Sequence, residues 1–170
     1  MIIEAREVHQ DELDQLQNFL VSHGSNQWNY LPEHAVQEQF HRLFKGTDHC
    51  IVAIVEDEIV GLIIYRSIGD VPQFFKVLLD RKHSCYVAEV VVHSNFSSRG
   101  IGTMLLQKVA MTAQEQGAHH LVIDRHEQNL PSAGMMSKAG FKELDCFYDP
   151  DRRSAGAQKT TTLRLDLNYK

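Results

Sequence analysis

Ser97, Ser98, Arg99, Gly100, Ile101, Gly102 and Thr103 follow closely on an apolar β-branched run, Val90, Val91 and Val92, and lead into a stretch of helical periodicity. A β-branched run suits a buried strand, and the small and polar residues after it cannot prolong it. The stretch therefore reads as strand, loop and helix. The first turn of such a helix offers amide protons that lack intrahelical partners, together with the positive end of the dipole. Glycines at 100 and 102 let a bulky anion approach that backbone, which is the chemistry of a pyrophosphate cradle. A second informative residue, Glu89, stands inside the apolar strand itself. A carboxylate there is costly unless it has a partner or a task, and burial raises its pKa. Glu89 is thus either a proton acceptor or the partner of a cation such as Arg66 across the sheet.

Three anion sites are compatible with glycines in such a turn. A Walker loop requires Gly-Lys-Ser/Thr, whereas Ile101 and Gly102 follow Gly100 and no lysine is offered to a terminal phosphate. A dinucleotide fingerprint requires a third glycine where Leu105 stands, and it normally opens the first βαβ unit of a chain. What remains resembles the acetyl-coenzyme A signature of the GNAT superfamily of N-acetyltransferases, Q/R-x-x-G-x-G/A, with Ser97 in the place of the usual glutamine or arginine. Asn129 followed by Gly140-Phe141 is similar to that family's Asn ahead of a helix closed by Gly-Phe, and residues 51–61 resemble its central hairpin. The resemblance runs from the first strand to residues 163–167.

The resemblance implies a single-domain GNAT-like fold over residues 1–170, with acetyl-coenzyme A as co-substrate and no metal. It places the pantetheine arm along the backbone of Val90, Val91 and Val92, with a strand amide of Val90 or Val91 facing the thioester oxygen. It places the pyrophosphate on residues 97–103, and Asn129 with Ser132 beside the coenzyme, where Asn129 can also cap the following helix. Glu89 becomes the expected base, with His93 and His126 as second candidates at the ends of parallel strands. Many family members carry a tyrosine as general acid four residues before the Gly of the Gly-Phe pair, and here that residue is Met136. A thioether donates no proton, so Tyr148 or Ser137 would have to serve, or the thiolate leaves unaided. The alternative is a module that binds acyl-coenzyme A as a sensor. Trp28 and Tyr30, in a turn-forming stretch, are expected either as walls of the acceptor pocket or as packing under a loop. The implied reaction is direct attack of a primary amine on the thioester in a ternary complex.

Composition bounds the partners. A formal charge of −5 and a pI near 6.0 leave no basic stripe for nucleic acid, and no apolar run reaches the length of a membrane span. Asp145, Asp149 and Asp151 suggest a cationic small acceptor such as a polyamine or an aminoglycoside, while a peptide amine stays open. Cys50, Cys85 and Cys146 are odd in number and widely spaced, which fits a reducing cytoplasm and neither disulfides nor a thiolate zinc site. Cys85 reads as a buried structural thiol, and His119-His120 show no metal-ligand spacing. Family members often pair, so the resemblance leaves a homodimer open.

The elements that would hold these groups follow from periodicity. Residues 1–7 read as a strand and a helix begins at Asp11-Glu12 with Leu13, Leu16 and Leu20 on one edge. Pro32 suits a first helical position, Val36, Phe40 and Leu43 share a face, and Gly46 closes that helix. Residues 50–56 and 59–67 read as strands joined at Asp57, and 86–93 feeds the cradle. After the cradle helix, in which Ile101, Met104, Leu105, Val109 and Thr112 share a face, 120–124 reads as a parallel neighbour. Helix 131–139 and strands 142–148 and 160–167 complete the chain. Pro72, Phe74, Phe75, Val77, Leu78 and Leu79 lean towards a short helix or lid. The expected class is a mixed α/β (α+β) fold: a mostly antiparallel sheet, one parallel pair splayed at the coenzyme site, and helices on both faces.

Overall fold

In β2 (Asp48–Val55) and β3 (Glu58–Arg66) almost every side chain is apolar and buried. Strands that read as continuous apolar runs need cover on both faces. One set, Cys50, Val52, Ile54, Leu62 and Ile64, packs with Leu16, Phe19 and Leu20 of α1 (Leu13–Gly24) and with Val36 and Phe40 of α2 (Glu33–Lys45). The alternate set, Ile51, Ala53, Val55 and Ile63, packs with Leu105, Leu106 and Val109 of α3 (Ile101–Glu115). The period of two in the strands thus assigns α1 and α2 to one face and α3 to the other.

The computed structural model describes residues 1–77 and 80–167. Strands β1 (Glu4–Glu7), β2, β3, β4 (Ser84–Val92), β5 (His120–His126), β6 (Lys142–Tyr148) and β7 (Lys159–Asp166) form one seven-stranded sheet in the order β1-β2-β3-β4-β5-β7-β6. All neighbours are antiparallel except β4 and β5, the parallel pair that α3 connects. Helix α4 (Leu130–Lys138) follows β5 and places Met136 in the core on the α3 face. This is the mixed, mostly antiparallel GNAT-like architecture that the sequence leads one to expect.

Local chemistry sets most boundaries. The turn between β2 and β3 holds Glu56 and Asp57 both left-handed, at φ 50° and 66°, the backbone of a two-residue hairpin whose twist matches its strands. Gly46 ends α2 at φ +80°, with its amide returning to Leu43 O and Arg42 O. Pro32 caps α2 from outside, at ψ 146°, where a first helical residue was expected. The first strand is also shorter than expected, starting at Glu4.

The expected helix after Pro72 does not form: residues 73–74 and 76–77 are turns, and Leu78 and Leu79 lie outside the described residues. The reason lies in where the carbonyls go. Arg81 donates to Phe75 O at 2.7 Å and to Val71 O and Pro72 O at 2.8 Å each, so a guanidinium takes acceptors that a helix would have used. Phe75 is meanwhile drawn into a third apolar cluster with Val71, Tyr86 and Val122.

Candidate active site

The parallel pairing of β4 with β5 runs from Ser84 opposite His120 to Val87 opposite Ile123 and stops. Beyond it, β4 continues to pair with β3, placing Val90, Val91 and Val92 opposite Ile63, Leu62 and Gly61, while β5 continues with β7 as far as His126. The two strands separate, and a cleft of about 1120 Å³ opens at their carboxyl ends. Parallel strands that part in this way make a crevice for a ligand.

One side of the cleft is built for an anion. Gly100 caps α3 in the left-handed region at φ +79°, and Ser98 precedes it at φ 62°. The first helical hydrogen bond, Met104 N to Gly100 O at 2.9 Å, comes after the amides of Ile101, Gly102 and Thr103. Those three residues line the cleft, as do Ser97, Ser98, Gly100, Val90, Val91, Val92, Asn129 and Ser132. Gly102 has a second duty: a Cβ there would run into Met135 Sδ, so its bareness lets α3 and α4 approach. Arg99 turns away from the cleft, with its guanidinium 5.3 Å from the Phe96 ring and Nη1 3.2 Å from Met1 Sδ. Asn129 caps α4, its Oδ1 accepting from Ser132 N at 3.3 Å.

Glu89 stands where the strands part. The β3–β4 register slips between Glu89 and Val87, and such a bulge re-aims the side chains beside it. Glu89 lies deep among protein atoms but keeps an open face on the cleft. Burial pushes its pKa up to about 7, with Asp124 adding to the rise; the Asn29 hydrogen bond, Arg153 and Arg152 oppose it. Its side-chain partner is Asn29, whose Nδ2 donates to Oε2 at 3.3 Å. Arg66, the cation expected across the sheet, does not pair with it: Arg66 Nη1 lies 3.7 Å from Asp70 and its guanidinium 5.3 Å from the Tyr86 ring.

The wall beyond Glu89 is cationic. Tyr86 Oη donates to Asp124 Oδ1 at 2.6 Å, and Asp124 Oδ2 accepts from Arg153 Nη2 at 2.6 Å and from Arg152 Nη2. One carboxylate therefore serves two guanidinium groups. Arg152 also lies 3.6 Å above the Phe74 ring. Arg66 Nε and Arg152 Nη1 are buried with no hydrogen-bond partner among the described residues, so donor capacity in this wall exceeds the acceptors the protein supplies. Trp28 and Tyr30 line the same side; the Trp28 ring packs on His126 at 4.6 Å and Tyr30 is exposed. Their loop is held by Asn26, whose Oδ1 accepts from Trp28 N at 2.8 Å, and by Asn29, which also donates to Gly24 O at 2.9 Å.

Other candidates are not brought to the reacting centre. Tyr148 sits on the edge strand β6, 65% exposed, its hydroxyl 3.2 Å from Gln158 Oε1, and neither it nor Ser137 lines the cleft. Tyr148, a possible proton donor in place of Met136, is kept away because β6 is the outermost strand. His126 lines the cleft with both ring nitrogens engaged, Nε2 with Ala155 O at 2.7 Å and Nδ1 accepting from Gln128 N at 3.0 Å. His93 Nδ1 accepts from Asn95 N at 3.0 Å, capping the short turn before the cradle. Cys85 is buried outside the cleft and its thiol is pushed up to about 12 by burial, so it stays protonated. Asp145, Asp149 and Asp151 do not form an acidic pocket. Asp149 holds Thr160 and Arg152, Asp145 caps the next amide, and only Asp151 lines the cleft.

Sequence reasoning missed Asn29, Tyr86, Asp124, Arg152 and Arg153. The available signal was Asp124, an acid directly after the apolar run Leu121, Val122 and Ile123; the arginines sit in a polar loop whose path the sequence leaves open.

Strand wedge, helix terminus and half-open carboxylate are the parts that a group-transfer site with an anion cradle requires. The chain belongs to the acetyltransferase (GNAT) family, whose model matches residues 8–141. Members take acetyl-coenzyme A as co-substrate, and the bare, left-handed Gly100 and free first-turn amides of α3 fit its pyrophosphate. The fold matches a protein of Streptococcus mutans at 18% identity and TM-score 0.78, covering 97% of this chain and 99% of that one. It matches the ribosomal-protein-alanine N-acetyltransferase of Brucella melitensis at 19% identity and TM-score 0.75, covering 98% and 100%. An N-acetyltransferase of Staphylococcus aureus matches at 16% identity and TM-score 0.75, covering 99% and 100%. A search of curated proteins by sequence returns no match. Among the described residues no helix is long and apolar enough to cross a membrane.

Proposed function

We propose that the enzyme transfers the acetyl group of acetyl-coenzyme A to a primary amine that also carries a carboxylate or similar anionic group, by direct attack within a ternary complex. The observation that carries this reading is the position of Glu89, between the α3 cradle and a wall with two under-used guanidinium groups. Val90, Val91, Val92, the 97–103 turn, Asn129 and Ser132 hold the coenzyme. Arg66 and Arg152 hold the acceptor's anionic group, and Trp28 and Tyr30 shape its entry. The cationic acceptor suggested by the aspartates of the 145–151 stretch is set aside, because most of those carboxylates are occupied elsewhere.

In the reaction the amine nitrogen bonds to the thioester carbon, the C–S bond breaks, and the ammonium proton passes to Glu89. A carboxylate with a pKa of about 7 is half-ionised near neutrality, the condition under which a base is most effective. Met136 is buried at the cleft wall and offers no proton, so the thiolate leaves and is protonated by water. An alkylthiol pKa of about 8.5 makes that departure feasible. Met136 is equally the feature that favours a sensor binding acyl-coenzyme A without rapid turnover.

The test is calorimetric titration with acetyl-coenzyme A, then free-thiol release with amino acids, the amines left by their decarboxylation, polyamines and peptides. Thiol release at least about tenfold faster from an amino acid than from its decarboxylated counterpart is expected. Equal rates overturn the anionic-acceptor reading. Binding without thiol release from any amine leaves the sensor reading, and absence of binding removes the cradle argument.

A further inference from the structure

At the opposite end of the parallel pair from the cleft, Asp80 meets three imidazoles. His83 Nδ1 lies 2.8 Å from Asp80 Oδ1, while His119 Nδ1 and His120 Nε2 lie 3.1 Å and 3.4 Å from Oδ2. The ligating atoms of Asp80, His83 and His119 all fall within 4.8 Å of one another. Asp80 and His83 flank the short turn that leads into β4, and His119 and His120 lead into β5. We propose that these four side chains bind a zinc ion, tying the β3–β4 connection to the start of β5.

Spacing is the first argument. Zinc bonds of about 2.0–2.1 Å in a tetrahedron set neighbouring ligand atoms about 3.3 Å apart; the distances to Asp80 bracket that value, with Asp80, His83 and His119 already mutually close and His120 reaching the cluster through Asp80, so that it turns inward to complete the shell. The second argument comes from outside the four. His120 Nδ1 lies 2.9 Å from Asp166 Oδ1, which Arg164 Nε also holds at 2.8 Å. Held by Asp166 at Nδ1, the His120 ring turns its Nε2 towards Asp80 Oδ2. A carboxylate that fixes the tautomer of a histidine from behind is the arrangement that orients metal-bound imidazoles.

The donor set selects the ion. Imidazole nitrogen with one carboxylate oxygen suits zinc and its neighbours, whereas calcium and magnesium require an all-oxygen shell. Four protein ligands close a tetrahedral site, so the ion has a structural task and not a catalytic one. The side chains remain partly exposed, between 18% for His120 and 46% for His119, which leaves a path of entry. The segment so tethered also carries Pro72 and Phe74, which line the acceptor side of the cleft. The sequence gives no hint of this site, because the ligands lie in two short stretches that only β4–β5 pairing brings together.

The experiment titrates zinc chloride into the full chain, freed of any tag and stripped of metal, by calorimetry in a non-coordinating buffer. One saturable site per chain, with micromolar or tighter affinity, is expected. His83→Ala and His120→Gln each weaken it at least about tenfold, and Asp166→Asn, which touches no metal, weakens it by about tenfold through His120. Cobalt in place of zinc gives the visible absorption of a four-coordinate ion in the wild type and loses it in His120→Gln. Circular dichroism confirms that each variant is folded; should His83→Ala unfold, His120→Gln and Asp166→Asn decide. No saturable site below about 100 μM in the wild type overturns the proposal, as does unchanged affinity in the folded variants.

Discussion

Asn29 Nδ2 lies 3.3 Å from Glu89 Oε2 although the two residues are sixty apart in the chain. The amide is aimed by its own bond to Gly24 O at 2.9 Å, so a surface turn supports a carboxylate at the strand wedge. A donor to the charged form favours ionisation, and Asn29 is the largest opposing influence on a pKa that burial raises to about 7. With Glu89 in its proposed role as base, which requires the ionised form, acetyl transfer should rise with pH through about 7. Asn29→Ala should move that limb to higher pH while leaving the KM for acetyl-coenzyme A unchanged. Glu89→Gln should remove the limb and lower kcat/KM by about 10²–10⁴-fold. A pH–rate profile of each variant is the measurement, and an unmoved limb in Asn29→Ala would separate Asn29 from the base.

The same carboxylate has a cost in stability with a definite sign. Its folded pKa is raised above the unfolded value of 4.5, so its contribution is fully favourable below 4.5 and is lost as pH rises through about 7. Glu89→Gln cannot ionise and escapes that loss. The variant should match the wild type near the bottom of this window and exceed it above the top by about 2–3 kcal/mol, a Tm gain of roughly 4–10 °C. Thermal melts of both proteins across the window measure it; a gain that does not depend on pH would show that the effect is packing alone.

How far the sequence reaches is clear from these residues. Val90, Val91, Val92 and Gly100 were legible because a strand-to-helix switch is encoded locally, in β-branched residues followed by glycine and a new period. Glu89 was legible as a contradiction, an acid in an apolar run. Asn29, Arg66 and Arg152 were not, because each meets its neighbours across the chain: Asn29 reaches Glu89 sixty residues on, Arg66 of β3 lies against Tyr86 of β4, and Arg152 of the β6–β7 loop meets Asp124 of β5. Residues 72–77 misled because their apolar spacing suits a helix, while Arg81 takes the carbonyls that a helix would need. Tyr148 misled in another way, since nothing in the order of the strands along the chain places β6 outermost.

Gly102 answers to two constraints that mutation can separate. A Cβ at this position meets Met135 Sδ, and Met135 Cγ at 3.3 Å, so Gly102→Ala forces a flexible thioether to move. The added methyl also stands in the first turn of α3, where the coenzyme's pyrophosphate is expected. Gly102→Ala should raise the KM for acetyl-coenzyme A and lower stability by about 1–2 kcal/mol. Adding Met135→Ala should recover the space between the helices. If the KM recovers along with packing, the glycine serves helix approach; if the KM stays high while the helices fit again, it serves the anion. A double-mutant cycle on KM and Tm reads both.

Arg66 provides the sharpest test of the acceptor. Its guanidinium leans on Tyr86, has only a loose carboxylate contact at 3.7 Å, and buries an Nε with no partner among the described residues. Asp70, that loose partner, is held more closely by Arg42. A guanidinium so poorly matched within the protein is poised for an anion from outside, and a charge-assisted hydrogen bond is worth about 1.5–3 kcal/mol. Arg66→Gln should therefore raise the KM for a carboxylate-bearing amine by about 10–100-fold. The KM for acetyl-coenzyme A and for an uncharged amine should stay within about twofold, since neither meets this wall. Arg66→Lys restores charge without the planar fork and should fall between the two. Steady-state kinetics with the matched pair of amines decides the matter. A uniform loss on both amines would assign Arg66 to the fold of the wall and not to recognition of the acceptor.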